Sequence, residues 1–148
     1  MASFNKFNIT VQDFARGIHN LSTTCAVKVM LSNTLPTSTM NTSTMITEIS
    51  TGNGYASRGS SVTLTSSVQT SGTYKLLANA LVFTAAGGSI GPFQYSVLIN
   101  STAVTSSTIA GSSAPLIGWY DYGSAVTLND TETFTITWDG SSGILQLA

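Results

Sequence analysis

The sequence predicts an all-β fold: an antiparallel β-sandwich or barrel, jelly-roll or immunoglobulin-like, of seven to eight strands with an N-terminal amphipathic α-helix. Three observations predict it. Apolar residues alternate with Ser and Thr at period two in most segments after Cys25, glycine-rich clusters separate those segments, and a helical period occurs only near the N-terminus. The 148 residues divide into a helical arm over 1–22 and a β-sandwich domain over 23–148. That length buries a core without disulfide or metal.

In the arm, Phe4, Phe7, Val11, Phe14, Ile18 and Leu21 recur every three or four residues, which places all six on one stripe of a helix over 4–21. Ser3 is the expected N-cap and Asn20 the expected stop. Ile9, Thr10 and Val11 are β-branched, and Gly17 costs about 1 kcal/mol relative to Ala, so the helix needs a partner surface. That surface is its own domain, its own oligomer or another subunit. His19 has no second His or Cys at ligand spacing and reads as a partly exposed helix-end residue.

From Cys25, a core thiol, Val27, Val29 and Leu31 alternate with Ala26, Lys28 and Met30 to give a first strand. Residues 32–44, with Pro36, form a long Ser/Thr loop of the kind that contacts something. Met45–Ile49 is a helical turn or a strand, and Asn53-Gly54 suits the positive φ angles of a tight turn. Val62 and Leu64 alternate with Ser and Thr over 60–67, and the run from Tyr74 to Thr84 is apolar on both faces, hence central or bent. Gly87–Pro92 leads into the alternating Phe93–Ile99 rather than into a helix, so it is a turn and not a phosphate loop. Residues 100–114 are a low-complexity loop expected at a tip.

Pro115–Gly123 then gathers Trp119, Tyr120, Asp121 and Tyr122 on one aromatic strand. Val126 and Leu128 follow, Asn129–Thr131 turns the chain, and Phe134, Ile136 and Trp138 alternate with threonines. Asp139–Gly143 is a hairpin into Ile144–Leu147.

Charged residues are 7% of the chain and the net charge is −1, which excludes a phosphate-neutralising field and makes nucleic acid an unexpected partner. Hydrophobic content is 42% and mean hydropathy +0.25, yet no run nears the roughly 18 apolar residues of a membrane span. Met1–Lys6 lacks the apolar core of a secretory signal and is expected to remain on the protein. Without such a signal the Asn-x-Ser/Thr triplets at Asn8, Asn20, Asn41, Asn100 and Asn129 carry no meaning. A surface so poor in charge is poorly protected against association, and neighbours are expected to cover it.

The supply of catalytic groups is two Glu, four Asp, one His and one Cys. Asp130, Glu132 and Asp139 sit at turns. Asp121 is the exception. A carboxylate pair of Asp121 with Glu48 or Asp139 would suit a hydrolase, whereas pairing with Arg58 or Lys75 is the structural alternative. No enzyme activity and no cofactor are expected. Trp119, Tyr120, Asp121 and Tyr122, with Tyr55, Tyr74 and Asn53, are candidates for stacking on and hydrogen-bonding to sugar rings, against a competing reading as core and intersubunit packing.

Thr47–Tyr55, Gln69–Leu76, Gly87–Phe93, Pro115–Gly123, Glu132–Phe134 and Trp138–Gly140, with Ser3–Phe7 and His19–Leu21, resemble in order a family of small structural proteins of tailed bacteriophages and prophages. Gly17 and the loop over 101–114 depart from it. The resemblance implies a virion component assembled in the bacterial host cytoplasm. The expected role is a capsid decoration or cement protein, with the major capsid protein and further copies of itself, as a trimer, for partners. Phe4, Phe7, Val11, Phe14, Ile18 and Pro36 are the expected capsid or oligomer contacts. The alternative is a tail- or fibre-associated module contacting host glycans through its aromatics.

Overall fold

In a computed structural model describing residues 3–102 and 113–148, the elements in chain order are β1 (Phe4–Lys6), α1 (Asn8–Ala15), β2 (Val27–Ser32), β3 (Ser60–Ser61), β4 (Leu64–Thr70), β5 (Thr73–Ala78), β6 (Leu81–Thr84), β7 (Ile90–Asn100), β8 (Leu116–Leu128), β9 (Thr133–Ile136) and β10 (Leu145–Leu147). A 3-10 turn covers Ser43–Met45. The all-β, antiparallel, sandwich-like architecture with one short N-terminal helix is the predicted one, built from ten strands among the described residues.

One layer is a five-stranded sheet in the order β1-β8-β7-β2-β3, and the other holds a three-stranded sheet, β10-β5-β4, and a two-stranded one, β6-β9. The alternation read in β2 decides its faces: Val27, Val29 and Leu31 enter the core between the layers, meeting Leu76 of β5, Phe83 of β6 and Leu145 of β10. Met30 points the other way, into a second cluster on the outer face with Phe7, Ile46, Val97, Ile99, Leu116 and Trp119. In β7 the expected alternation breaks. A bulge between Phe93 and Tyr95 sends Phe93 into the central core and Tyr95 to the outer face.

Two runs read as continuous are divided between sheets. Residues 60–67 split at Val62-Thr63, so that β3 pairs with β2 while β4 pairs with β5. The run Tyr74–Thr84 breaks at Asn79-Ala80, placing β5 and β6 in different sheets. The chain changes layer at the first break and changes sheet within the second layer at the second. The Asn53-Gly54 turn is as predicted: both residues have positive φ, 53° and 95°, and Gly52 and Tyr55 exchange both backbone bonds at 2.9 Å. The loop expected over 100–114 falls mainly on 103–112, outside the described residues.

The N-terminal expectation needs correction. The helix runs over Asn8–Ala15 only, because Phe4–Lys6 pairs as an edge strand with Gly118–Tyr120 and Gly17, at φ 70°, ends the helical path. Its buried face is Thr10 and Asp13, while Val11 is 54% exposed. The Thr10 hydroxyl lies 2.8 Å from the carbonyl oxygen of Ile117 and 3.1 Å from that of Leu116 and donates to them. A polar residue turns inward here because strand carbonyls, not apolar side chains, face that position. His19, expected to be partly exposed, is buried at 5% exposure.

Candidate functional site

Three places gather the residues singled out by the sequence. The first is a cover over the outer face of the five-stranded sheet. The Asn8 N–H donates to the Ser38 carbonyl at 2.8 Å, which joins the start of α1 to the loop over 32–44. Ile9 and Met40 both pack on the outer-face cluster beneath. The cover thus consists of the two segments expected to make outside contacts. Within it the candidates separate. Phe7 and Pro36 are buried in their own chain, Phe7 with its ring 4.6 Å from that of Trp119, so neither offers a surface to a neighbour. Phe14 and Ile18 are half-buried. Val11 is open, and so are two residues the sequence reading missed, Leu35 and Met45, at 57% and 49% exposure. Large apolar side chains standing alone in a Ser/Thr-rich segment are the sequence signal that could have found them.

The second place is a buried polar chain. Cys25 Sγ donates to Asn100 Oδ1 at 3.3 Å, Asn100 Nδ2 lies 3.3 Å from His19 Nδ1, and His19 Nε2 lies 3.8 Å from Asp13 Oδ2. With Asn100 donating to Nδ1, the neutral ring carries its proton on Nε2, facing Asp13. Burial pushes the His19 pKa down to about 4 and raises those of Asp13 and Cys25. A raised thiol pKa and a depressed imidazole pKa are the reverse of what an activated nucleophile needs. The chain ties α1 to the start of β2 and the end of β7.

The third place is a cleft of about 420 Å³. β9 bonds to β6 and β10 to β5, and no described ladder joins β9 to β10, so the second layer opens between them. Aromatic rings flank the opening. Phe4 and Tyr120 lie 5.5 Å apart and Tyr120 and Trp138 5.9 Å apart, while Tyr122 stands edge-on to Phe134 at 5.4 Å. The polar tips of two of them are anchored: the Tyr120 hydroxyl donates to the Ile144 carbonyl at 2.7 Å and Trp138 Nε1 to the Asn79 carbonyl at 2.9 Å. Burial pushes the Tyr120 phenol up to about 12. Around the aromatics stand Gln94, Thr135, Thr137, Asp139, Ser142 and Gln146. Asp139 Oδ1 accepts the Ser142 and Ser141 N–H groups at 2.7 Å each, and these bonds hold its carboxyl below the usual range.

The aromatic-strand candidates therefore do not converge. Trp119 is buried on the outer face, and only Tyr120 and Tyr122 line the cleft. Asp121 is half-buried and accepts from Gln94 Nε2 at 2.9 Å and from the Gly123 N–H at 2.7 Å, in place of the expected Arg58 or Lys75. Its proposed carboxylate partners are engaged elsewhere: Glu48 accepts the Tyr55 hydroxyl at 2.8 Å, and Asp139 caps its own turn. Tyr55 also accepts the Leu31 N–H, Tyr74 bonds Ser67 and the Leu21 carbonyl, and Asn53 Nδ2 donates to the Ser89 carbonyl, so all three serve the fold. Among the described residues no group of three or more His, Cys, Asp and Glu could hold a metal ion, and no helix is long and apolar enough to cross a membrane. No protein-family model, curated protein or solved structure compared with the chain matches it.

Proposed function

We propose that the chain is a non-enzymatic structural protein of a tailed-phage virion: a capsid decoration, or cement, protein that binds the outer surface of the major capsid shell and stabilises it. It acts as a homo-oligomer, a trimer, and needs no cofactor, nucleic acid or membrane. The sequence segments that resemble phage structural proteins motivate the reading. The observation that carries it is the cover. Two segments distant in sequence, α1 and the loop over 32–44, meet through the Asn8–Ser38 bond, and they and the 3-10 turn that ends the loop leave Val11, Leu35 and Met45 exposed. Apolar side chains on the surface of a chain with only 7% charged residues bind a neighbouring protein at little desolvation cost, and a symmetric oligomer repeats one such patch over equivalent lattice sites.

The test is co-sedimentation with empty phage heads. Val11→Asp with Met45→Asp, both at exposed positions, is expected to abolish binding while the circular dichroism spectrum is unchanged. Undiminished binding by this folded double variant overturns the assignment of the cover. Deleting the arm would not serve as a test, because β1 and Phe7 are built into the sheet and its outer cluster.

A further inference from the structure

The cleft between β9 and β10 is not used by the cover-mediated contact, and its chemistry is different. We propose that it is a binding site for a neutral saccharide. Its volume, about 420 Å³, falls in the range of small-molecule sites, roughly 300–1,000 Å³. Sugar rings present flat C–H faces edged by hydroxyls, and the cleft offers the complement. Tyr120, Trp138 and Tyr122 supply aromatic surface, two of them with their polar tips tied back to backbone carbonyls so that the rings are fixed in place before any ligand arrives.

The rim supplies what hydroxyls bond to. Gln146 and Thr135 are exposed beside the rings, and Asp139 is held ionised by its two turn N–H groups, so it accepts hydroxyl hydrogens. Charge narrows the class. Among the described residues no Lys or Arg lines the cleft and Asp139 is the one charged lining residue, with Lys75, opposite Gln146 in the ladder, acting on its carboxyl, so the lining offers no cation to pair with phosphates, sialic acids or uronic acids. The mixture of amide and hydroxyl groups around the aromatics is also unlike an acyl-chain pocket, which would leave them unpaired. A quaternary ammonium would meet aromatic faces and one carboxylate but would leave the amides and hydroxyls of the rim without partners.

Trp138 makes the site its own reporter. Titrating the full chain with maltotriose, cellotriose, chitotriose and galactotriose, followed by tryptophan fluorescence and by proton NMR of the sugar, is expected to give saturable binding for at least one of them. Sialyllactose and choline serve as the anionic and cationic comparisons and are expected to bind at least about tenfold more weakly. Tyr122→Ala, at a side chain 57% exposed, is expected to weaken binding about tenfold and Gln146→Ala severalfold, both with unaltered thermal unfolding. Preferred binding of choline or sialyllactose overturns the proposal, as does unchanged affinity in Tyr122→Ala. So does the absence of saturable binding by all four sugars at millimolar concentration. Head binding by the cover is read separately, so either assignment can fail without the other.

Discussion

His19 and Asp13 are buried titratable side chains whose facing atoms, Nε2 and Oδ2, lie 3.8 Å apart, neither with a hydrogen-bond partner among the described residues. Burial lowers the imidazole from 6.5 in the free side chain to about 4 in the fold. Between those values the unfolded chain binds a proton that the native chain refuses, so stability is complete above pH 6.5 and is lost as pH falls towards 4. The full loss corresponds to roughly 3 kcal/mol. Asp13 works in the opposite sense: burial, partly offset by the Arg16 charge, raises its carboxyl above 3.8, so its contribution is present in acid and lost as pH rises through the raised value. The net expectation is a urea midpoint that falls on acidification through the histidine window. In His19→Gln the same profile is expected to flatten between pH 6.5 and 4, and an unchanged slope would place the acid sensitivity in other groups.

At the scale of elements, the junction of β1 with β8 rests on one small residue. A Cβ on Gly118 would meet the ring of Phe4 and stand 2.7 Å from the Asn5 carbonyl oxygen, and a backbone oxygen in a ladder cannot turn aside. Gly118→Ala is expected to cost about 1–3 kcal/mol, with β1 leaving the sheet edge. Trypsin digestion checks it: cleavage after Lys6 should accelerate in the variant relative to cleavage after Lys75 in β5, and equal rates would mean that β1 stays in place. The helix beside it illustrates what periodicity does not carry. Phe4, Phe7, Val11, Phe14, Ile18 and Leu21 fit one helical stripe, yet Phe4 sits in a strand, Phe7 precedes the helix and Val11 faces out. The bonds from Thr10 to β8 decide which face turns inward, and those partners lie more than a hundred residues away.

For the molecule as a whole, the central core and the outer-face cluster share β2, β7 and β8, each of which sends side chains to both. Neither cluster can be lost while the other keeps its strands. The tryptophans report on the two sides, Trp119 within the outer cluster and Trp138 against the central core. Trp119→Phe and Trp138→Phe, each leaving one tryptophan, are expected to give coincident midpoints when urea unfolding is followed by fluorescence and by circular dichroism. An earlier transition at Trp119 would show that the outer cluster and its cover unfold as a separate unit.

Local chemistry sufficed for the strands whose faces differ, as in β2 and β9, and for the turns at Asn53-Gly54, Asn129–Thr131 and Asp139–Gly143, because a period of two and a positive φ are set by adjacent residues. The all-β class and the N-terminal place of the helix follow from those signals alone. The sequence also marked Trp119–Tyr122 as unusual, but in it Trp138 reads as an ordinary strand residue, and it could not say that β8 would put Trp119 outside and Tyr120 against Trp138. That choice, like the change of sheet at Asn79-Ala80 and the opening between β9 and β10, depends on which strands find each other across the chain. Pairing of distant segments is a cooperative property of the packed core. Tertiary structure therefore decided where the cover, the buried histidine and the cleft lie, although each of their residues is plain in the sequence.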